Sequence, residues 1–402
     1  MFLFPTRERY RAIDDNYKLA LVRLVFSFGT SAVGTVWSLY MHAIGFSDST
    51  VGYITGGAVF LSLVLTLAST PILEFFQARR LLIFSLLLYT VSYVLAGLST
   101  SKVLFVLVAV GTAIAVAIRT ESFAILFRDT TSREKLSQRE GLMYALVNLG
   151  WLVTPVFAGF LLARYGFPVV FFLSAAMFFV SMLMLVFSDM LRARKTFSSI
   201  DTDPFVSIKT YLARREMWYP YAVKFGLNAA SGFVLVYLPI FLVERGASPA
   251  YIGAMISIMA AVHVLFDFKI GKIARPQQFK SFFVFGFVSS AVLLVWASFI
   301  QNPDVLLAVV PLAGVATLFV EPLQDTFFFS LIEKSEDEER LYPVYSTAAQ
   351  LGGFVAKVLA ATVLLFASEQ FAYIAIALVL FAIAGIVARM RTQEVLVPAA
   401  VR

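Results

Sequence analysis

The sequence predicts an all-α membrane protein: twelve transmembrane helices in two pseudo-symmetric six-helix bundles. Three observations carry that expectation. The 402 residues are 60% hydrophobic and 14% charged, against about 25% charged in a soluble domain. Twelve apolar runs are long enough to cross a bilayer core of about 30 Å, which takes about 20 helical residues. Lys and Arg alternate between dense and sparse from one connection to the next, as the positive-inside bias requires. This composition excludes a soluble enzyme, a disordered chain and a nucleic-acid module, so no nucleic acid is expected as a partner.

The runs fall at 19–43, 51–73, 81–99, 102–127, 141–163, 168–188, 219–243, 250–270, 279–300, 304–330, 342–366 and 370–389. Barrel strands would be about 10 residues of alternating character. These runs are longer and continuous, so they are helices, which satisfy every backbone polar group within the segment. With the N-terminus inside, the cytoplasmic segments carry 25 of the 32 Lys and Arg. The external loops carry three, Lys102, Arg164 and Arg245, and the spans hold Arg23, Arg119, Lys224 and Lys357. Both termini are therefore expected in the cytoplasm, with the chain in the plasma (inner) membrane and the lipid bilayer as its solvent. The basic stretch 188–218 reads as a cytoplasmic linker between an N-terminal bundle, 1–187, and a C-terminal bundle, 219–402.

Cysteine is absent and histidine occurs only as His42 and His263, so no metal centre is expected. No cofactor is expected either, since there is no Gly-rich loop followed by Lys-Ser/Thr to cradle a nucleotide phosphate. No nucleophile–base constellation stands on a loop, which argues against an enzyme. The expected partners are a small-molecule substrate, protons and lipid, and the expected state is a monomer. The patch Met1 to Pro5 is too short for a secretory signal.

The two halves look related at an offset of 200 to 201 residues. Arg23 matches Lys224, Gly45-Phe46-Ser47 matches Gly246-Ala247-Ser248, Glu121 matches Glu321, and Arg139 matches Arg340. Parallel six-span repeats are one recurrent way to build a transporter. The fifth span reads Gly141-x8-Gly150-x3-Thr154-Pro155-x2-Ala158-Gly159. Six spans plus six with a long basic central loop resembles the major facilitator superfamily over the whole chain. The fifth-span spacing is similar to that superfamily's antiporter motif, with Thr154 and Ala158 standing where Gly is usual. The resemblance implies a drug:proton antiporter, hence an exporter. Small residues and a Pro bend also make a packing face that any helical bundle can use. The loop after the second span keeps an acid and a basic pair, Glu74, Arg79 and Arg80, but lacks the glycines of the superfamily's loop motif. Glu74 can latch a helix end while the arginines sit among cytoplasmic headgroups.

Charges at membrane depth cost about 2.5–3.5 kcal/mol even on lenient scales, so each is a functional candidate. Glu321 and Asp325, four apart on the tenth span beside Pro322, share a helix face. Burial and a like charge both disfavour ionisation, so a carboxyl there can load and release a proton near neutral pH. The alternative is that Asp325 simply faces an aqueous vestibule. His263 and Asp267 on the eighth span, also four apart, read as a proton relay or as a static hydrogen-bonded pair. A metal site ranks last, with only two ligands visible. Arg119 and Glu121 are two apart and cannot pair locally. Arg119 suits either an anionic substrate group or neutralisation of Glu321 or Asp325.

Lys357 shares a face of the eleventh span with Gly353 and Gln350, and pairing with Glu321 or Asp267 would suit it. Arg23 and Lys224 read as snorkelling or gate-latching residues. Asn148, Trp151, Asn228 and Tyr237, with Trp37 and Tyr40, are the polar and aromatic candidates for contacting a ligand. The leading functional expectation is proton-coupled export of small amphipathic organic compounds by alternating access. The alternatives are proton-coupled uptake of a sugar, organic anion or peptide, and a membrane scaffold or sensor that keeps the fold without transport.

Overall fold

A computed structural model describes residues 15–68, 76–130, 136–188, 204–332 and 335–390. Its helices are α1 (Asp15–Ala43), α2 (Asp48–Ala68), α3 (Ala78–Leu98), α4 (Lys102–Thr130), α5 (Leu136–Tyr165), α6 (Phe167–Val186), α7 (Pro204–Ala213), α8 (Trp218–Glu244), α9 (Pro249–Ile273), α10 (Phe279–Phe299), α11 (Pro303–Val315), α12 (Glu321–Ser330), α13 (Ser335–Phe366) and α14 (Glu369–Ala388). Twelve helical spans are long and apolar enough to cross a membrane, the tenth being Ala308–Ser330, made of parts of α11 and α12.

The repeat is visible in the helix bounds. Helices α2, α3 and α4 begin at residues 48, 78 and 102, and α9, α10 and α11 begin at 249, 279 and 303, each 201 residues later. The connection after α1 turns at Gly45, with φ 85°, and the one after α8 turns at Gly246, with φ 83°. Both lie in the left-handed region, where a Cβ is strained. Packing repeats as well: α1 lies against α5 and α6 while α3 lies against α4 and α6, and α8 packs on α13 as α10 packs on α14.

Each span divides its faces by burial. On α3, Leu82, Leu86, Tyr89, Tyr93 and Ala96 are buried, whereas Phe84, Leu87, Val91, Leu95 and Leu98 are exposed. Both faces are apolar, so the outer one suits acyl chains, not water. Small residues set the closest approaches. Gly232 on α8 meets the backbone of Gly353 on α13, and Gly352 meets the Phe225 backbone, where any Cβ would have to displace main chain.

The tenth span departs from a continuous helix. α11 gives way to a 3-10 turn at Ala316–Phe319, and α12 starts at Glu321 with Pro322 in its first turn. Pro has no N–H to donate and fits the first helical positions, so the span restarts there and does not run on as one continuous helix. Glu321 thus occupies a helix N-terminus, where the macrodipole favours a carboxylate.

Contacts sort the described residues into two compact units. One comprises those of Met1–Ile44, Leu61–Ser198 and Ser248–Ser257, the other those of Gly45–Phe60, Ser199–Ala247 and Ile258–Arg402. Each unit borrows a segment from the other half of the sequence. In the first, the loaned start of α9 packs on α5: Gly253 sits against the Pro155 carbonyl and Gly159 against Pro249. In the second, the loaned start of α2 packs on α8 and α13, with Gly52 under the Tyr237 hydroxyl and Gly56 against Val358.

Part of the linker folds onto the second unit. Tyr211 of α7 is buried with Met217, Phe328, Leu341 and Tyr345. Its hydroxyl donates to the Met217 carbonyl at 2.8 Å, and burial pushes the phenol up, so it stays protonated. Arg214 anchors the same segment to Asp337 at 2.9 Å.

Candidate functional site

Three predicted proton-handling residues meet inside the second unit. One turn of α9 separates His263 from Asp267, and the restart of the tenth span brings Glu321 beside them. His263 Nδ1 lies 3.0 Å from Glu321 Oε2 and 3.6 Å from Asp267 Oδ1. His263 and Asp267 are largely enclosed, with 15% and 20% of their side chains exposed, while Glu321 keeps 48%. The cluster therefore has an open side formed by one carboxylate. Two of its polar atoms, His263 Nδ1 and Asp267 Oδ1, are buried, and their 3.6 Å contact is too long for a full hydrogen bond.

Asp325 does not join this cluster. It binds Lys224 Nζ at 2.8 Å and accepts from the Tyr345 hydroxyl at 3.0 Å, while Lys224 lies 4.2 Å from the centre of the Tyr345 ring. The helical spacing that paired Glu321 with Asp325 in the sequence is real, but each carboxylate turns to a basic side chain from a different helix. Lys224 is thus bonded within the unit and does not snorkel. Asn228, one turn on, donates to the Lys224 carbonyl at 2.9 Å.

Lys357 of α13 is half-buried, and no carboxylate among the described residues lies within ion-pair distance of its ammonium. The anticipated partners Glu321 and Asp267 are held by His263 instead. The Lys357 carbonyl accepts from Tyr237 at 2.9 Å. Tyr237 itself is fully buried, flanked by the rings of Phe233 and Phe241, so it is spent on helix packing. Gln350 is half-buried two turns before Lys357.

In the first unit, Arg119 lies over the Phe26 ring at 4.8 Å, beside the Tyr89 hydroxyl and 3.3 Å from the Thr120 hydroxyl. Arg23, Phe26, Arg119 and Phe123 line one small apolar pocket with Val22, Leu82 and Leu86. The sequence left Arg119 two roles, holding an anionic substrate group or neutralising Glu321 or Asp325; those two carboxylates take basic partners within the second unit. Glu121 and Asn148 are half-buried, and Trp151 lies against Gly34 of α1. Trp37 and Tyr40 are taken up by Phe105 and, for Tyr40, by Phe167 and Phe171.

The fifth-span motif is a packing device in this geometry. Gly150 abuts Ser27, whose neighbour Ser31 donates to the Gly150 carbonyl at 3.1 Å. Pro155 and Gly159 meet the start of α9, and Ser257 accepts from the Val156 N–H at 3.2 Å. Gly141 lies in the first turns of α5. After the second span, Arg79 donates to the carbonyls of Leu185, Val186 and Ser188 at 2.8, 3.3 and 2.7 Å. A cation at a helix C-terminus complements its dipole and its orphan carbonyls, so Arg79 caps α6 where a headgroup contact was expected. Arg80 is exposed, and Glu74 lies outside the described residues. Tyr345, Ser257 and Tyr89 were not singled out from sequence, because their partners are set by helix packing and by no local spacing.

Twelve apolar spans with a 201-residue repeat define a multi-pass membrane protein of the two-repeat transporter class. The fold is similar to that of a bacterial homolog of the human lysosomal transporter Spinster in an inward-facing, unoccupied conformation, at TM-score 0.76 and 14% identity over 97% of this chain and 99% of that one. It is also similar to a D-xylose–proton symporter, at TM-score 0.75 and 14% identity over 96% and 99%. A third likeness is to the nucleoside transporter NupG, at 0.72 and 12% over 93% and 98%. No curated protein matches by sequence. The family model described as Major Facilitator Superfamily matches residues 19–357, and the chain belongs to that superfamily: it is a membrane transporter of this kind.

Proposed function

We propose that this transporter is a proton-coupled secondary active transporter that exports small amphipathic organic compounds by alternating access. The His263–Asp267–Glu321 cluster is the observation that carries the coupling. It brings together two carboxylates and an imidazole from two membrane spans, mostly enclosed yet open through Glu321. Proton loading there changes the net charge of a poorly hydrated site, and such a change alters which conformation is stable. Asp325, four residues on, is the second carrier: its neutralisation frees Lys224 from a 2.8 Å ion pair. The membrane potential adds about 2.3 kcal/mol per charge per 100 mV to the drive. The spacing of the fifth-span motif supports export.

A second reading is uptake of an anionic metabolite. Lys357, half-buried without an acidic partner among the described residues, favours it, and a symporter stands among the similar folds. Transport of labelled amphipathic dyes, sugars, organic anions and peptides, measured in right-side-out and everted vesicles with and without a pH gradient, separates the two. Proton-driven accumulation of amphipathic compounds inside everted vesicles supports export. Uptake into right-side-out vesicles under an inward proton gradient reverses the direction. No proton-dependent flux of any class, with Glu321→Gln and Asp325→Asn leaving every cellular phenotype intact, moves the chain to the scaffold reading.

A further inference from the structure

We propose that the His263–Asp267–Glu321 cluster is also a binding site for a first-row divalent transition-metal ion, with Zn2+ as the probe. The inference rests on the reading above only in taking this cluster to be a ligand site.

The geometry favours a shared cation. A metal of this kind stands about 2.0–2.2 Å from imidazole nitrogens and carboxylate oxygens, so its ligand atoms are about 3.0 Å apart at right angles and about 3.4 Å apart in a tetrahedron. Here the two contacts of His263 Nδ1 measure 3.0 and 3.6 Å, and one ligand atom from each residue lies within 4.8 Å of the others. The half-exposed Glu321 side chain is the one free to rotate and close that last gap.

The hydrogen bonding points the same way. Direct donation from the imidazole needs its N–H aimed at one oxygen. Two carboxylate oxygens flank His263 Nδ1 at 3.6 and 3.0 Å and compete for its single N–H, so Asp267 Oδ1 and Glu321 Oε2 cannot both be well served. An ion lying between them satisfies both atoms at once. Two carboxylates and a neutral imidazole also sum to the charge that a divalent ion cancels. The nitrogen ligand favours Zn2+, Co2+ or Mn2+ over Mg2+ and Ca2+, which prefer all-oxygen sites. The exposed side of Glu321 leaves the remaining coordination positions to water.

The test uses the full chain, purified in detergent through a tag that contains no histidine. Zn2+ is titrated calorimetrically, and the Co2+ complex is followed by its visible absorption, with Mg2+ and Ca2+ as controls. The expected result is one Zn2+ per chain, weakened at least about tenfold in Asp267→Asn and Glu321→Gln and lost in His263→Ala. The Co2+ spectrum of the wild type should carry bands from mixed nitrogen and oxygen ligation that vanish in His263→Ala. Glu321→Gln changes one atom of the side chain and guards against reading a folding defect as a lost site. Absence of Zn2+ binding by the folded wild type, or binding that survives the double variant His263→Ala/Glu321→Gln, overturns the proposal. Proton-driven flux without Zn2+ binding defeats the metal site and leaves the coupling reading standing. Zn2+ binding with flux indifferent to Glu321→Gln upholds the metal site and defeats the coupling reading.

Discussion

The fourth and tenth spans descend from equivalent places in the two repeats, starting 201 residues apart at Lys102 and Pro303, yet they have become different devices. α4 runs unbroken to Thr130, and its Arg119 rests on Phe26 beside Tyr89. The tenth span stops at a 3-10 turn and restarts at Glu321, sending one carboxylate to His263 and another to Lys224. The repeat-related cations diverge in the same way: Arg23 lies over the Phe123 ring at 4.5 Å, while Lys224 holds Asp325. In the first repeat Arg23 and Arg119 lie against aromatic rings, whereas in the second Lys224 and His263 contact carboxylates and Lys357 stands apart from them. On the proposed coupling, the same helical frame serves as support in one half and as an ion-responsive element in the other, and the broken helix is what separates them.

That contrast can be broken by experiment. The largest effect is expected from Glu321→Gln or Asp267→Asn, which should lower proton-driven transport by about tenfold or more, while Arg119→Met should leave the proton dependence in place. Equal losses in vesicle flux from both halves would erase the distinction. Next comes stability. Lys224→Ala leaves Asp325 without its cation. The cost should be about 2–3 kcal/mol, short of the about 3–5 kcal/mol of a fully enclosed pair, because Asp325 keeps 30% of its side chain exposed. The double variant Lys224→Leu/Asp325→Leu should recover much of that loss in the detergent melting temperature. A double variant no better than Lys224→Ala would show that the pair is not the source of the cost. A smaller effect, about 1–2 kcal/mol, is expected for Arg79→Ala, which removes a charged cap from three carbonyls at and just past the C-terminal end of α6. Arg119→Met should cost the least, about 0.5–1 kcal/mol, the scale of one cation–aromatic contact.

How much of this could be read beforehand follows from the range of each interaction. The twelve spans and the repeat were legible, since apolar length and loop charge are local properties and the glycine turns at Gly45 and Gly246 recur in register. His263 and Asp267 were legible as a pair because four residues make one helical turn. Glu321 could be suspected as a buried charge, but its meeting with His263 depends on α9 coming beside a helix that restarts at Glu321. Tyr345 and Lys224 converge on Asp325 from two further helices, so no spacing along the chain could have joined them. The fifth-span glycines showed their pattern but not their role, since the surfaces they admit, Ser27 and the start of α9, come from distant sequence.

The most direct test of the central claim needs no substrate. Infrared difference spectra of the purified protein, recorded as pH is stepped through neutrality, report carboxyl groups that gain and lose protons inside it. Proton coupling through the cluster predicts a carboxyl band that changes with proton load in the wild type, diminishes in Asp267→Asn and Glu321→Gln, and persists in Arg119→Met. A band absent from the wild type, or one unchanged by both cluster variants, would contradict it.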